Sequence, residues 1–192
     1  MHVHFSVLDA EGRNLFDDGT DRGTDTMLHA VGGCLSAMQA STLIFAPHAN
    51  SYERLVPNAH APTSVSWAYE NRTASVRIPS GPGAARRIEH RVAGGDTNPY
   101  LLLSAILGSA MDGIEGAVEP PSAIEGNAYE LDLPSLPNAW EDAINLFETS
   151  AAIDGLFPTE LRENLVRTKR QEMALTAELS TEDLRAVYLD RT

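Results

Sequence analysis

The sequence predicts an α+β fold, with strands in its first half and a mostly helical C-terminus. Two observations carry this. Segments rich in Val, Ile, Thr and aromatic residues fall at 2–9, 63–78 and 86–92, which is the composition of strands. Helical spacing dominates after residue 98, so the elements are segregated and do not repeat as βαβ units. At 192 residues the chain is long enough for one domain with a sizeable core.

The elements follow in order. Residues 2–9 read as a strand, followed by a turn in DAEGRN and a short extended LF. DDGTDRGTD, residues 17–25, is a polar loop. From about Asp25 to Ile44, residues Met27, Leu28, Val31, Leu35, Met38 and Leu43 keep helical spacing around Gly32 and Gly33. Residues 46–62 hold three prolines and no period, which predicts an ordered functional loop. The strands 63–78 and 86–92 are joined by the turn PSGPGAA. Asn98 before Pro99 supplies a capping side chain and a proline at the first helical position. That helix should run to about Ile114 and bury Tyr100, Leu103, Ile106, Leu107, Met111 and Ile114. Residues 115–137 form a proline-rich connection. Beyond it, Asn138 with Glu141 and Ser180 with Asp183 resemble capping boxes. Residues 159–177 place Leu161, Leu165, Val166 and Met173 on one helical face.

Composition limits function. A net charge of −13, with Lys169 the sole lysine, disfavours nucleic acid and an anionic membrane surface as partners. The single Cys34 rules out an internal disulfide and a cysteine-cluster metal site, and fits a reducing, cytoplasmic setting. The longest apolar run, around Tyr100–Met111, is interrupted by Ser104 and Gly108 and is too short to span a bilayer. There is no Walker A or Rossmann glycine pattern, and no G-x-S-x-G elbow surrounds Ser6.

Chemistry gathers in three stretches. Alternation in MHVHFSV puts His2, His4 and Ser6 on one strand face. In RRIEHR, Arg87, Glu89 and Arg91 share a face, and Ile88 and His90 take the other. A carboxylate between two guanidiniums can hold a hard cation and leave both arginines for anionic oxygens. A solvated row of cross-strand ion pairs is the plainer alternative. Arg72 and Arg77 are an odd number of residues apart, so they reach one site only if Arg72 precedes the strand or sits at a bulge. Arg54 joins them from the 46–62 loop. Arginine in place of lysine suits bidentate capture of phosphate and carboxylate. His2, His4 and Glu89 together would make an imidazole–carboxylate site suited to Mn²⁺ or Mg²⁺ more than to structural zinc. The residues alone thus point to an arginine-rich anion site with a divalent metal.

These motifs resemble a known family. NSYERLVP, NRTASVRIP and RRIEHRVAGGDTNPYLLLSAILGSAMDGIE match, in order and spacing, blocks in the C-terminal part of the glutamine synthetase catalytic domain. MHVHFS resembles the tail of that family's ATP-region signature. The resemblance implies antiparallel strands packed with helices, and an ATP-dependent carbon–nitrogen ligase. Such enzymes phosphorylate the γ-carboxylate of glutamate, and an amine then attacks the acyl phosphate. It further implies that His2 and Glu89 ligate Mg²⁺ or Mn²⁺, and that His4 and Ser6 contact ATP. Arg54 and Arg91 would hold glutamate carboxylates, Arg72 would bridge glutamate and the ATP phosphates, and Arg77 would bind an ATP phosphate. Arg72 and Arg91 are the catalytic pair in this reading, and the intact protein would form a homo-oligomer.

Three departures and one further likeness refine the resemblance. The family's N-terminal half, with most of its metal-binding glutamates, has no counterpart here. Residues 1–192 are therefore expected to be a C-terminal portion of the catalytic domain, inactive by itself. His60 stands in RLVPNAHAP where ammonia-using members carry a glutamate that binds ammonium, and an imidazole attracts NH₄⁺ less. With RIEHRVAGG and SWAYENR, this resembles the γ-glutamylputrescine and γ-glutamylpolyamine synthetase branch. A polyamine such as putrescine is the expected acceptor, and ammonia is the alternative. A non-catalytic binding module is the reading from another class. The turn at 80–85 lacks a lysine that many members place near the nucleotide. Finally, Tyr129 in NAYEL resembles a tyrosine that some bacterial members adenylylate, in a divergent setting.

Overall fold

A computed structural model describes residues 1–189 of the chain. Four short strands form one sheet in the order β1-β4-β3-β2. They are β1 (Val3–Phe5), β2 (Trp67–Tyr69), β3 (Val76–Ile78) and β4 (Ile88–His90). β4 pairs antiparallel with both β1 and β3, as expected, but β2 and β3 run parallel. The predicted strand 63–78 thus splits in two. Residues 70–75 can connect a parallel pair because each strand has three residues, so the chain returns only about 10 Å. Longer strands would need a longer crossover. Glu70, with φ 55°, starts that return.

Register sorts the side chains. His4 and Arg77 both lie opposite Glu89 on one face of the sheet, and Val3 and Val76 lie opposite His90 on the other. The second face packs into the core, where Val76 and Ile88 are fully buried. The first face is polar.

Behind the sheet lie α1 (Asp25–Ser36), α2 (Thr42–Phe45) and α3 (Pro99–Glu115). The single helix expected over 25–44 is broken between α1 and α2. The Ser36 hydroxyl donates back to the Gly33 carbonyl at 2.8 Å, and residues 37–41 turn so that Leu43, Ile44 and Phe45 all stay buried. α3 starts as predicted: the Asn98 side chain accepts from the Tyr100 and Leu101 N–H groups at 3.0 and 3.2 Å.

The buried face of α3 differs from the predicted stripe. Ile106 is buried and Ile114 partly so, but Tyr100, Leu103, Leu107 and Met111 are exposed. The helix instead buries Leu102, Ala105, Ile106, Ser109, Ala110 and Gly113. Close approach to α1 is the reason. A Cβ on Gly33 would collide with the Ser109 carbonyl and the Gly113 backbone. Small residues let the two backbones approach and pack densely, and that outweighs burying the larger side chains.

The remaining helices are α4 (Trp140–Thr149), α5 (Ala151–Asp154), α6 (Thr159–Thr176) and α7 (Thr181–Leu189). Asn138 and Glu141 do not form a capping box. The cap is Ala139, without a side-chain bond, because burial of Trp140, Ala143, Ile144 and Phe147 fixes the helix phase one residue later. Ser180 does cap: its hydroxyl oxygen accepts the Asp183 N–H at 3.2 Å and its O–H meets the Asp183 carboxylate at 2.7 Å. On α6, Val166 is buried and Leu165 and Met173 are partly buried, while Leu161 is exposed. Among the described residues no helix is long and apolar enough to cross a membrane.

Candidate active site

The polar face of the sheet is organised around Glu89, which is 2% exposed. Its Oε1 accepts from Arg91 Nη1 at 2.9 Å and lies 3.0 Å from His2 Nδ1 and 3.6 Å from His4 Nε2. Its Oε2 accepts from Arg77 Nη1 at 3.0 Å. Strand pairing creates this convergence, since β1 and β3 flank β4 and present same-face residues to Glu89. Isolated, so buried a carboxylate would be costly. Burial does push the Glu89 carboxyl up, but the Arg91 and Arg77 guanidiniums outweigh it and hold the group below the usual carboxylate range.

The same surroundings keep His2 neutral. Burial, and then the Arg91 guanidinium, lower its imidazole below the usual histidine range. The Nδ1 contact with Glu89 fits an Nδ1–H donor, and moving that proton to Nε2 would turn both Nδ1 and Glu89 Oε1 toward one cation. On His4, Nδ1 accepts from Arg87 Nε at 3.3 Å, so Nε2 carries the proton toward Glu89.

The arginines divide by what they already hold. Arg77 also donates to Glu70 Oε2 at 3.3 Å. Arg91, 6% exposed, also donates through Nη2 to the Arg72 carbonyl at 2.9 Å, and so pins the 70–75 loop to Glu89. Arg72 precedes β3 and its side chain is exposed, which resolves the odd spacing from Arg77. Arg54 ends the two-turn 3-10 helix Ala49–Arg54. Its Nη1 and Nη2 donate to the Val92 and Phe45 carbonyls, both at 2.7 Å, which ties the 46–62 loop to the end of β4. Ser6 follows β1 and is exposed, on the side-chain parity of His2 and His4. His60 is exposed on its loop with φ 63°, outside the Glu89 cluster.

Two features escape the sequence reading, and Arg87, expected beside Glu89, takes a different part. Arg86 is 7% exposed and clamps the 17–25 loop, donating to the Asp21 carbonyl at 2.7 Å and to the Thr20 carbonyl. Its parity with Ile88 and His90 was the available signal, because a charge on the core face must find carbonyl partners. Arg87 orients His4. Glu172 gathers His48 Nδ1 at 2.8 Å, Tyr188 Oη at 2.8 Å and Lys169 Nζ at 2.9 Å, joining the 46–62 loop to α6 and α7. Spacing announces only the Lys169–Glu172 pair, three residues apart on α6, and not His48 or Tyr188.

The fit to a divalent metal is partial. Among the described residues no group of three His, Cys, Asp or Glu side chains could hold an ion. His2 and Glu89 offer one imidazole and one carboxylate, donors that Mn²⁺ and Mg²⁺ accept when water and phosphate oxygens complete the shell. Arg77 and Arg87 both reach this face, through Glu89 and His4 respectively. The face can therefore collect phosphate oxygens and offset charge that builds on a transferring phosphoryl group.

The chain is similar to known proteins over most of its length. A family model described as "Glutamine synthetase, catalytic domain" matches residues 1–187. The gamma-glutamylethanolamide synthetase GlnA4 of Streptomyces coelicolor is 37% identical over 188 residues, covering 97% of this chain and 40% of the relative. A glutamine synthetase of Pyrococcus abyssi is 38% identical over 180 residues, covering 90% and 40%. The gamma-glutamylputrescine synthetase PuuA of Escherichia coli is 34% identical over 147 residues, covering 77% and 31%. The solved structure of a GmaS/ADP complex superposes with a TM-score of 0.84 at 30% identity, over 98% of this chain and 45% of that one. The chain thus spans less than half the length of each of these proteins.

Proposed function

Because this chain belongs to the glutamine synthetase catalytic-domain family, we propose that the whole protein joins the γ-carboxylate of glutamate to an amine at the expense of ATP, with a polyamine such as putrescine as acceptor. Residues 1–192 supply the C-terminal portion of its catalytic domain. The observation that carries this reading is the Glu89 cluster: one buried carboxylate, two imidazoles and two guanidiniums on a single sheet face. That a similar structure is solved as an ADP complex supports a nucleotide as a ligand of this fold here.

The chain's residues take distinct parts. His2 and Glu89 would hold a Mg²⁺ or Mn²⁺ ion, which when bound would neutralise phosphate charge. His4 and Ser6 contact the nucleotide along the outer edge of β1. Arg77 reaches a phosphate, and Arg72 bridges the phosphates and glutamate. Arg91 and Arg54 serve the glutamate carboxylates and also fix the backbone around them, which restricts how glutamate can sit. His60 replaces an acidic group with an imidazole at the acceptor loop, which favours an organic amine over ammonium.

Coupled ADP release from the whole protein, with glutamate and either putrescine or ammonium, tests the assignment. Turnover with putrescine and little with ammonium is expected. Turnover with ammonium alone would favour the second reading, a glutamine synthetase, which the Pyrococcus abyssi relative supports.

A further inference from the structure

We propose that Tyr129 is a positioning residue for the loop that carries His60, holding it in a strained backbone conformation from a distant segment. The inference rests on the acceptor role given above to His60 and deepens it.

The loop needs such a tie. Asn58 and His60 both have left-handed backbones, with φ 66° and 63°. Asn and His tolerate this region better than most residues, but two such residues so close in the chain persist only where the surroundings fix them. Residues 56–60 are exposed and contribute little packing. Their internal tie is one turn bond, from Ala59 N–H to the Val56 carbonyl at 3.2 Å.

The next residue, Ala61, is buried, and its carbonyl accepts the Tyr129 phenol at 2.9 Å. Among the described residues this is the hydrogen bond that reaches segment 56–61 from elsewhere in the chain. Burial raises the phenol above its usual range, so at neutral pH it keeps the proton that it donates.

The Tyr129 segment is itself anchored. Asn127 accepts the Tyr129 N–H at 3.2 Å and donates to Glu130 at 2.8 Å. The Ala128 N–H donates to Thr73 Oγ1 at 2.9 Å. Thr73 adjoins Arg72, whose carbonyl Arg91 holds. One short segment therefore bridges the loop carrying Arg72 and the loop carrying His60. The backbone that sets the acceptor position is referenced to the backbone that sets the phosphate position.

The variant Tyr129→Phe removes one oxygen and keeps the ring. Two readouts separate this proposal from the reading beneath it. The ¹⁵N order parameter of the His60 amide should fall from about 0.85 to below about 0.6, with the melting temperature lowered by no more than about 4 °C. In a putrescine titration followed on the His60 ring signals, half-saturation should need about fivefold more amine. If the wild-type ring responds to no amine, the acceptor reading fails, and the order parameter still decides the tie. Thr73→Val loosens the segment's other end with the phenol in place and should mobilise His60 to a lesser extent. An unchanged His60 order parameter in both variants overturns the proposal.

Discussion

Arg91 and Glu89, two positions apart on one face of β4 and its exit, form a 2.9 Å ion pair whose side chains are 5% and 3% exposed. Arg77 closes on the same carboxylate from β3 at 3.0 Å. A carboxylate shared by two guanidiniums at that depth is a structural requirement of the sheet face as well as a chemical resource. Glu89→Gln keeps the shape and removes the charge, so two buried cations are left facing one another. The expected loss is about 3 kcal/mol of stability, read as a fall in the urea midpoint with an unchanged slope.

Helix packing behind the sheet gives a second outcome. Gly33→Ala would drive a methyl group into the Ser109 carbonyl and Gly113. Overpacking of this kind costs about 1–3 kcal/mol, visible as a lowered melting temperature. Gly95→Ala is the control, since nothing lies within 4 Å of its added Cβ and the residue is exposed. It should change the melting temperature little.

Acid sensitivity follows from Glu172. Burial pushes its carboxyl up, but hydrogen bonds from His48, Lys169 and Tyr188 outweigh this and hold it at about 2. The unfolded carboxyl titrates at about 4.3. Between those values the unfolded chain binds a proton that the folded chain refuses, so this contribution is full above the upper value and is lost as pH falls through the lower one. Urea midpoints of the wild type and Glu172→Gln, compared across pH, should differ most near neutrality. The gap should narrow as pH drops through that window. A gap that stays constant with pH would show that the hub gains nothing from ionisation.

The acceptor role proposed for His60 gives a gain-of-function outcome. His60→Glu restores a carboxylate where the imidazole now stands. Coupled ADP release from the whole protein should shift at least several-fold from putrescine toward ammonium, with the KM for glutamate little changed.

Much of the site is legible in the amino-acid sequence, and for a definite reason. Strand alternation has a fixed period, so His2 with His4, and Glu89 with Arg91, can be paired from spacing alone. Strand order cannot: that Glu89 lies between β1 and β3 depends on β1 pairing with β4 across more than eighty residues. Helix existence is likewise clear, and the cap at Asn98 is readable to the residue. The face of α3 is misread because hydrophobicity ranks Leu103 and Leu107 above Ala105 and Ser109, whereas backbone proximity to α1 ranks by size. Arg54 reads as a substrate group in sequence and is seen here gripping two backbone carbonyls, a duty that no local pattern encodes.

The central claim is that the β1–β4–β3 face is a metal–nucleotide site, and Mn²⁺ with ADP tests it most directly. Paramagnetic broadening of the NMR signals should fall together on His2, His4, Ser6 and Arg77, and Glu89→Gln should remove it. Broadening confined to the acidic 17–21 loop, with His2 and His4 left sharp, would contradict the account.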